Sequence, residues 1–245
     1  MIITTAIIKG GAGKTTTAAA LLQAGAKKGQ HGLAIDIDPQ ANLTRFLGAQ
    51  SNANGTYSIL HGRSAEEAIQ HTAQGIDVIA GNADLATEVT GRASGRRLQS
   101  AINPIADNYD LILIDTPPQM GELVFNALQA ANSLIVPVEA DVNSAQGLYH
   151  IEEIAGQIKK TNPGLDIAGV IVTRYDARPK INRKLIEIIQ TACEDTGTPF
   201  LGTIRAGIAI KEAQTLQRSI YDYAPHSKPA TDYMALYERL ERTGK

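Results

Sequence analysis

From residue 9 to residue 16 the chain reads Lys-Gly-Gly-Ala-Gly-Lys-Thr-Thr, the run with most chemistry to offer. Glycines let backbone N–H groups turn inward and approach a phosphate closely. A helix starting directly after them adds the positive end of its dipole. In such a cradle Lys14 can reach the terminal phosphates of a nucleotide, and the Thr15 hydroxyl can ligate Mg²⁺. The ordinary form of the loop requires glycine where this chain has Ile8, so the strict pattern fails. A deviant form, Lys-Gly-Gly-x-Gly-Lys-Thr, fits at every position, and its extra lysine, Lys9, opens the loop. The candidate nucleotide contacts are Lys9, Gly10, Gly11, Ala12, Gly13, Lys14, Thr15 and Thr16, with ATP and Mg²⁺ as the implied ligands.

Two further runs supply carboxylates. Asp36-Ile37-Asp38-Pro39-Gln40-Ala41-Asn42 closes an apolar stretch, and strand alternation puts Asp36 and Asp38 on one face of the extended chain. Strand ends at this edge of a doubly wound sheet converge on a ligand, so the pair can face Mg²⁺ and an attacking water. Leu111-Ile112-Leu113-Ile114 runs into Asp115, the pattern of a buried strand whose terminal carboxylate holds the metal. The Thr116-Pro117-Pro118 that follows is a stiff loop suited to sensing a γ-phosphate. Thr15, Asp36 and Asp115 are the candidate metal residues. None of the three motifs is specific alone. Their order along the chain is what makes the combination specific.

These groups need a scaffold that delivers them to one edge, and the pattern provides it. Short apolar runs at Ile2–Ile8, Gly32–Ile37, Ile76–Ala80, Leu111–Asp115, Ser133–Val138, Ile167–Thr173 and Phe200–Thr203 read as strands buried on both faces. Helical periodicity covers Lys14–Lys28, part of Ala83–Asp107, Gly121–Ala131, Ser144–Lys160, Ile181–Thr196, Ile208–Gln217 and Lys228–Arg242. The segment Gln50–Arg63 reads as a polar loop with room for one turn of helix. This alternation predicts an α/β fold, a doubly wound and mostly parallel sheet with helices on both faces. One domain over residues 1–245 is expected.

A chain of 245 residues buries enough surface to fold without disulfides or a structural metal. Its one cysteine, Cys193, cannot form an internal disulfide, which favours a reducing compartment. The five histidines show no ligand spacing. The N-terminal apolar stretch is too short for a signal peptide, and no run approaches the roughly 20 apolar residues of a membrane span. A cytoplasmic protein is expected. Charge is uneven: residues 1–173 hold 11 Lys+Arg against 16 Asp+Glu, and residues 174–245 hold 12 against 9. The basic C-terminal third permits contact with a polyanion.

With these motifs the sequence resembles the ParA/MinD superfamily of deviant Walker A ATPases, most of all the ParA (Soj-like) partition ATPases. The resemblance runs over about residues 1–240, through KGGAGKTTTAAAL, DIDPQANLT, YDLILIDTPPQMG, VPVEAD, SAQGL, GVIVTRYDAR and IKEAQ. It implies an ATP sandwich homodimer in which Lys9 reaches the partner's phosphates. It implies catalytic roles for Lys9, Lys14 and Asp38, with Asp38 positioning the hydrolytic water. It further implies non-specific DNA binding in the ATP state, nucleoid association, and stimulation by a ParB-like or other small activator protein. No helix-turn-helix precedes the loop, so the larger operator-binding type is not expected. Where many relatives have Ile-Pro-Arg-Asn-Val-Arg, this chain has Ile204-Arg205-Ala206-Gly207-Ile208-Ala209, which puts Arg205 and Gly207 at the adenine. Arg178, which matches a basic family position, joins Lys180, Arg183, Lys184 and Arg205 as candidate DNA contacts.

Three rivals fit less well. An iron-sulfur reductase needs more cysteines. A tyrosine kinase needs its tyrosine cluster in a free tail, and Tyr233 and Tyr237 lie at helical spacing. A MinD-like membrane switch needs a basic amphipathic C-terminal helix, whereas Tyr233, Leu236, Tyr237 and Leu240 form a core-like stripe; no membrane contact is expected. A ParA-like ATPase that positions a protein cargo would share every motif.

Overall fold

The computed structural model describes residues 1–7, 9–90 and 95–244, with the side chains of residues 88–90 left aside. Ile8 and part of the expected helical region 83–107 therefore lie outside the described residues. Among the described residues eight strands form one sheet: β1 Ile2–Thr5, β2 Gly32–Asp36, β3 Ile69–His71, β4 Ile76–Ile79, β5 Leu111–Asp115, β6 Ser133–Glu139, β7 Asp166–Tyr175 and β8 Phe200–Arg205. Their spatial order is β3-β4-β2-β5-β1-β6-β7-β8. Every neighbouring pair is parallel except β3 with β4.

Period-two alternation accounts for the apolar runs. In β5, Leu111 and Leu113 enter one core while Ile112 and Ile114 enter another. In β2, Ala34 faces the first and Leu33 and Ile35 the second. A strand covered on both sides has no solvent face and reads as an unbroken hydrophobic segment.

The helices are α1 Lys14–Lys27, α2 Asn42–Phe46, α3 Thr56–Leu60, α4 Ala65–Ala68, α5 Arg97–Ile102, α6 Glu122–Ala130, α7 Ser144–Lys159, α8 Lys180–Thr196, α9 Ala209–Thr215, α10 Ile220–Tyr223 and α11 Lys228–Thr243. Two 3₁₀ segments, Ala83–Thr90 and Asn103–Asn108, flank α5. The first layer centres on α1, whose Ala18, Ala19, Ala20, Leu21, Leu22 and Ala24 bury against the sheet. Small residues there bring the helix axis close to the strands. Helix α11 lies over α1 through Tyr233, Leu236, Tyr237 and Leu240, each buried, and Tyr233 and Thr17 share a hydroxyl–hydroxyl hydrogen bond of 3.2 Å. The stripe on the last helix is thus committed to the core. The opposite layer holds α5 and α6 over the β2/β5 half, and α6, α7 and α8 over the β6/β7 half.

β1 is the pivot of the topology. The chain leaves it for β2, two places to one side, and later returns to β6 on the other. Such a switch point opens a crevice at the carboxyl ends of the strands, and ligands of open α/β sheets bind there. The loop of residues 9–13 occupies that crevice.

The register of β6 with β7 shifts between Leu134 and Ile135, where Gly169 adopts φ +148°. A methyl group on Gly169 would lie 2.4 Å from the Pro199 carbonyl oxygen. Gly169→Ala is expected to cost about 3 kcal/mol through strain and overpacking, or roughly 6–12 °C in Tm for a chain of this size. Differential scanning calorimetry measures it.

Candidate nucleotide site

The phosphate loop is held from three directions. Gly13 caps α1 in the left-handed region, at φ 87°, a conformation that costs glycine little. A Cβ at Gly13 would meet the Thr173 side chain at 3.1 to 3.3 Å. Thr173, near the end of β7, places its hydroxyl 2.9 Å from the Ala12 carbonyl and 3.2 Å from that of Val138, so the loop rests on the β6/β7 edge. Lys14 donates to the Lys9 carbonyl at 3.2 Å and closes the loop across its mouth. The Thr116 hydroxyl donates to the Thr5 carbonyl at 2.7 Å, tying the segment after β5 to the end of β1.

Behind the loop lies a buried charge cluster. Asp36 and Asp115 are register partners on adjacent strands, and both are fully buried. Burial pushes the Asp36 carboxyl up to about 6, although hydrogen bonds from Thr44 and the Asp38 N–H pull the other way. Asp115 is driven well above the carboxylate range by burial and by the charge of Asp36, against the pull of the Thr15 hydroxyl and Lys14. Burial lowers the Lys14 ammonium in turn, and Asp115 and Asp38 partly restore it.

The two carboxylates differ in what they have left to give. Asp36 accepts from the Thr44 N–H at 2.8 Å, the Thr44 hydroxyl at 2.7 Å and the Asp38 N–H at 3.1 Å. Both of its oxygens are engaged. Asp115 Oδ1 receives a 3.4 Å bond from the Thr5 hydroxyl, while its buried Oδ2 has no hydrogen-bond partner among the described residues. An orphaned carboxylate oxygen beside the Thr15 hydroxyl is a donor set that suits a hard divalent cation. Asp38 accepts from the Gln40 N–H at 2.9 Å and lines the cleft with the loop.

The cleft has two connected parts. One, of about 360 Å³, is lined by Gly10 through Thr16, Asp38, Thr116 and Pro118. The other, of about 460 Å³, is more apolar, with Ile204, Ala206, Gly207, Ile208 and Tyr233 in its wall. Gly13, Thr16, Arg174, Lys211 and Gln214 border both, and Gln214 donates to the Thr16 hydroxyl at 3.2 Å. A phosphate end joined to an apolar end has the shape a nucleotide requires.

Other expected site residues lie elsewhere. The Lys9 ammonium turns out of the loop and pairs with Asp141, and with Glu139 at 3.6 Å. Arg205 borders the apolar part, but its guanidinium and backbone N–H are both bonded to Asp232. Arg178 is clasped by Asp176 two residues away. Lys180, Arg183 and Lys184 stand exposed on the first turns of α8, outside the cleft. Sequence reasoning passed over Thr173, Arg174, Lys211, Gln214 and Tyr233. The segments TRY and IKEAQ contain four of them, and only the fold shows that they meet.

A phosphate cradle between strand and helix, at the switch point of a mostly parallel sheet and opposite a buried strand-end aspartate, defines a P-loop nucleotide-binding protein. A family model described as an AAA domain matches residues 1–167. The chromosome-partitioning ATPase Soj of Thermus thermophilus is 32% identical over 95% of this chain and 92% of its own length. MinD of Pyrococcus horikoshii complexed with Mg-ADP superposes with a TM-score of 0.81 at 26% identity, covering 99% of this chain and 96% of that one. Cobyrinic acid a,c-diamide synthase of Mycobacterium smegmatis, with a bound ATP analogue and magnesium, gives 0.83 at 25% identity over 100% and 96%. The chain belongs to the ParA/MinD superfamily of ATPases.

Thr44 connects the buried cluster to its surroundings, because its hydroxyl also accepts from the Gly81 N–H at 2.9 Å. Thr44→Val keeps the shape and removes both bonds. The expected cost is about 2–4 kcal/mol, since a buried amide and a buried carboxylate each lose a partner. A urea titration reads this as a lower midpoint with an unchanged slope.

Proposed function

We propose that this chain is an ATP-dependent dimerising switch of the partition type, which hydrolyses Mg-ATP slowly and binds DNA without sequence preference in its ATP form. The observation that carries the reading is the loop of residues 9–15 leading into Lys14 and Thr15, the two residues that act on Asp115 and its unpartnered oxygen. The known structures with Mg-ADP and with an ATP analogue and magnesium support the ligand, and the Soj relative supports the biological class.

The chain's own groups divide the work. Backbone N–H groups of residues 10–15 and the α1 dipole hold the phosphates. Lys14 leaves the Lys9 carbonyl to neutralise their charge. Thr15 and Asp115 hold Mg²⁺, which supplies charge neutralisation on the phosphates when bound. Asp38 orients the attacking water. Lys9 is the residue left over: in the monomer it lies on Asp141 and Glu139, and in the dimer it crosses to the partner's phosphates. A ParB-like or other small protein accelerates turnover.

DNA binding falls to Lys180, Arg183 and Lys184, which share one face at i, i+3 and i+4 spacing. Arg178 and Arg205 are neutralised by Asp176 and Asp232, so the surface is weaker than its formal charge suggests. That observation favours keeping a second reading, in which the switch positions a protein cargo. A membrane-associated switch has less support, since the α11 stripe is buried and among the described residues no helix is long and apolar enough to cross a bilayer.

Lys14→Ala is expected to abolish ATP binding in a calorimetric titration. Asp38→Ala is expected to bind ATP normally, accumulate as a dimer in light scattering, and turn over ~10²-fold more slowly. Wild-type turnover by that variant would show that another group holds the water.

For DNA, filter binding with random duplex should require ATP and weaken steeply with salt. Three cations per copy, doubled in a dimer, set a slope of log K on log salt no steeper than about −5. Replacing Lys180, Arg183 and Lys184 together by alanine should remove most of the binding. A wild-type protein that binds no DNA with ATP at low salt would favour the protein-cargo reading.

A further inference from the structure

Arg174 has no part in the scheme above, and the structure singles it out. It follows Thr173 at the end of β7 with φ 52°, a left-handed conformation that is uncommon for a residue with a long side chain and tends to mark functional sites. The turn lays its guanidinium beside the phosphate loop, with Nη1 3.8 Å from where a Cβ on Gly11 would stand. Because Gly11 has no side chain, nothing on that residue separates the guanidinium from the loop backbone. Arg174 borders both parts of the cleft, so it stands where the apolar end gives way to the phosphates.

The arginines around the site differ in how they are held. Arg178 and Arg205 each place two guanidinium nitrogens on one carboxylate. Arg174 makes a single ion pair, Nη1 to Glu139 Oε1 at 3.0 Å, and its side chain is 58% exposed. A monodentate pair this open to water is held weakly and exchanges readily for a better acceptor. Phosphate is that acceptor, since guanidinium geometry matches it in two parallel hydrogen bonds. In the monomer, Glu139 loses little by the exchange because Lys9 lies 3.6 Å from its other oxygen.

We propose that Arg174 is a phosphate-contact residue acting within its own subunit, which leaves Glu139 on nucleotide binding and takes the α- and β-phosphates from the Gly11 side of the loop. This rests on the reading of the cleft as an ATP site. The position between the two cavities assigns it to the phosphates that ADP and ATP share, and so distinguishes it from a γ-phosphate sensor.

The test is titration calorimetry with ADP and with ATP on the full chain, with melting curves to confirm folding. Arg174→Gly removes the guanidinium and relaxes the left-handed backbone, so it should remain folded; Arg174→Ala removes the guanidinium alone. Both are expected to weaken ADP and ATP equally, by about tenfold or more, with Arg174→Lys in between. Glu139→Gln breaks the resting pair and is expected to bind ADP at least as tightly as the wild type. Affinities within twofold of the wild type in both Arg174→Gly and Arg174→Ala would overturn the assignment. So would a loss confined to ATP, or a loss in Glu139→Gln matching that in Arg174→Gly, which would mean the ion pair is only a brace. Wild-type protein that bound no ADP would overturn the nucleotide reading itself, and this assignment with it.

Discussion

Two carboxylates on neighbouring strands, Asp36 and Asp115, are buried side by side at the centre of an apolar sheet. Removing even one ion from water costs several kcal/mol after relaxation, and two of like sign cost more. The surrounding structure is arranged to offset this. Asp36 is satisfied by Thr44 and by the turn it begins, which fixes the start of α2 and the backbone at Gly81. Asp115 is only half satisfied, by Thr5, and lies close to the buried ammonium of Lys14. The ends of β1, β2 and β5, the loop before α1 and the segment after β4 are all tied to this cluster. A site assembled this way is completed by a cation, which is a physical reason for phosphate and metal to bind together.

The scaffold was legible because burial on both faces leaves a strong trace. All seven apolar runs became strands, six with ends within two residues of expectation and β1 ending at Thr5, three residues before the expected Ile8. β3 left no such trace: Ile-Gln-His at a sheet edge has too few apolar residues to show a period. The site was legible where one motif holds all the partners, as in the phosphate loop. It was less so where partners are distant. Lys9 meets Asp141 across 132 residues and Arg205 meets Asp232 across 27, and no spacing rule announces either. Asp176 lies two residues from Arg178, and that pairing was open to a local reading. Alternation placed Asp36 and Asp38 together, yet the strand ends at Asp36 and the turn folds the Asp38 N–H back onto it, so the two carboxylates meet different partners.

Structural similarity here spans proteins with different work. MinD and a cobyrinic acid diamide synthase superpose over nearly the whole chain, so the shared fold specifies the handling of a nucleotide and little beyond it. What separates one member from another must lie on the surfaces that the nucleotide state alters. On the proposed function those are the mouth of the cleft, where Lys9, Arg174, Glu139 and Asp141 form one set of ion pairs, and the exposed start of α8.

The central position of β1 also governs how the molecule comes into being. Ile2 pairs with Ile112 and Ile3 with Ser133, so β1 is flanked on both edges by strands synthesised more than a hundred residues later. As the chain emerges from a ribosome, β1 and the glycine loop behind it have no lasting place to dock until β5 and β6 have followed. Contacts so distant in sequence form slowly, and an unpaired apolar strand is exposed to aggregation meanwhile. The glycine loop is thus synthesised long before the strands that hold it in place.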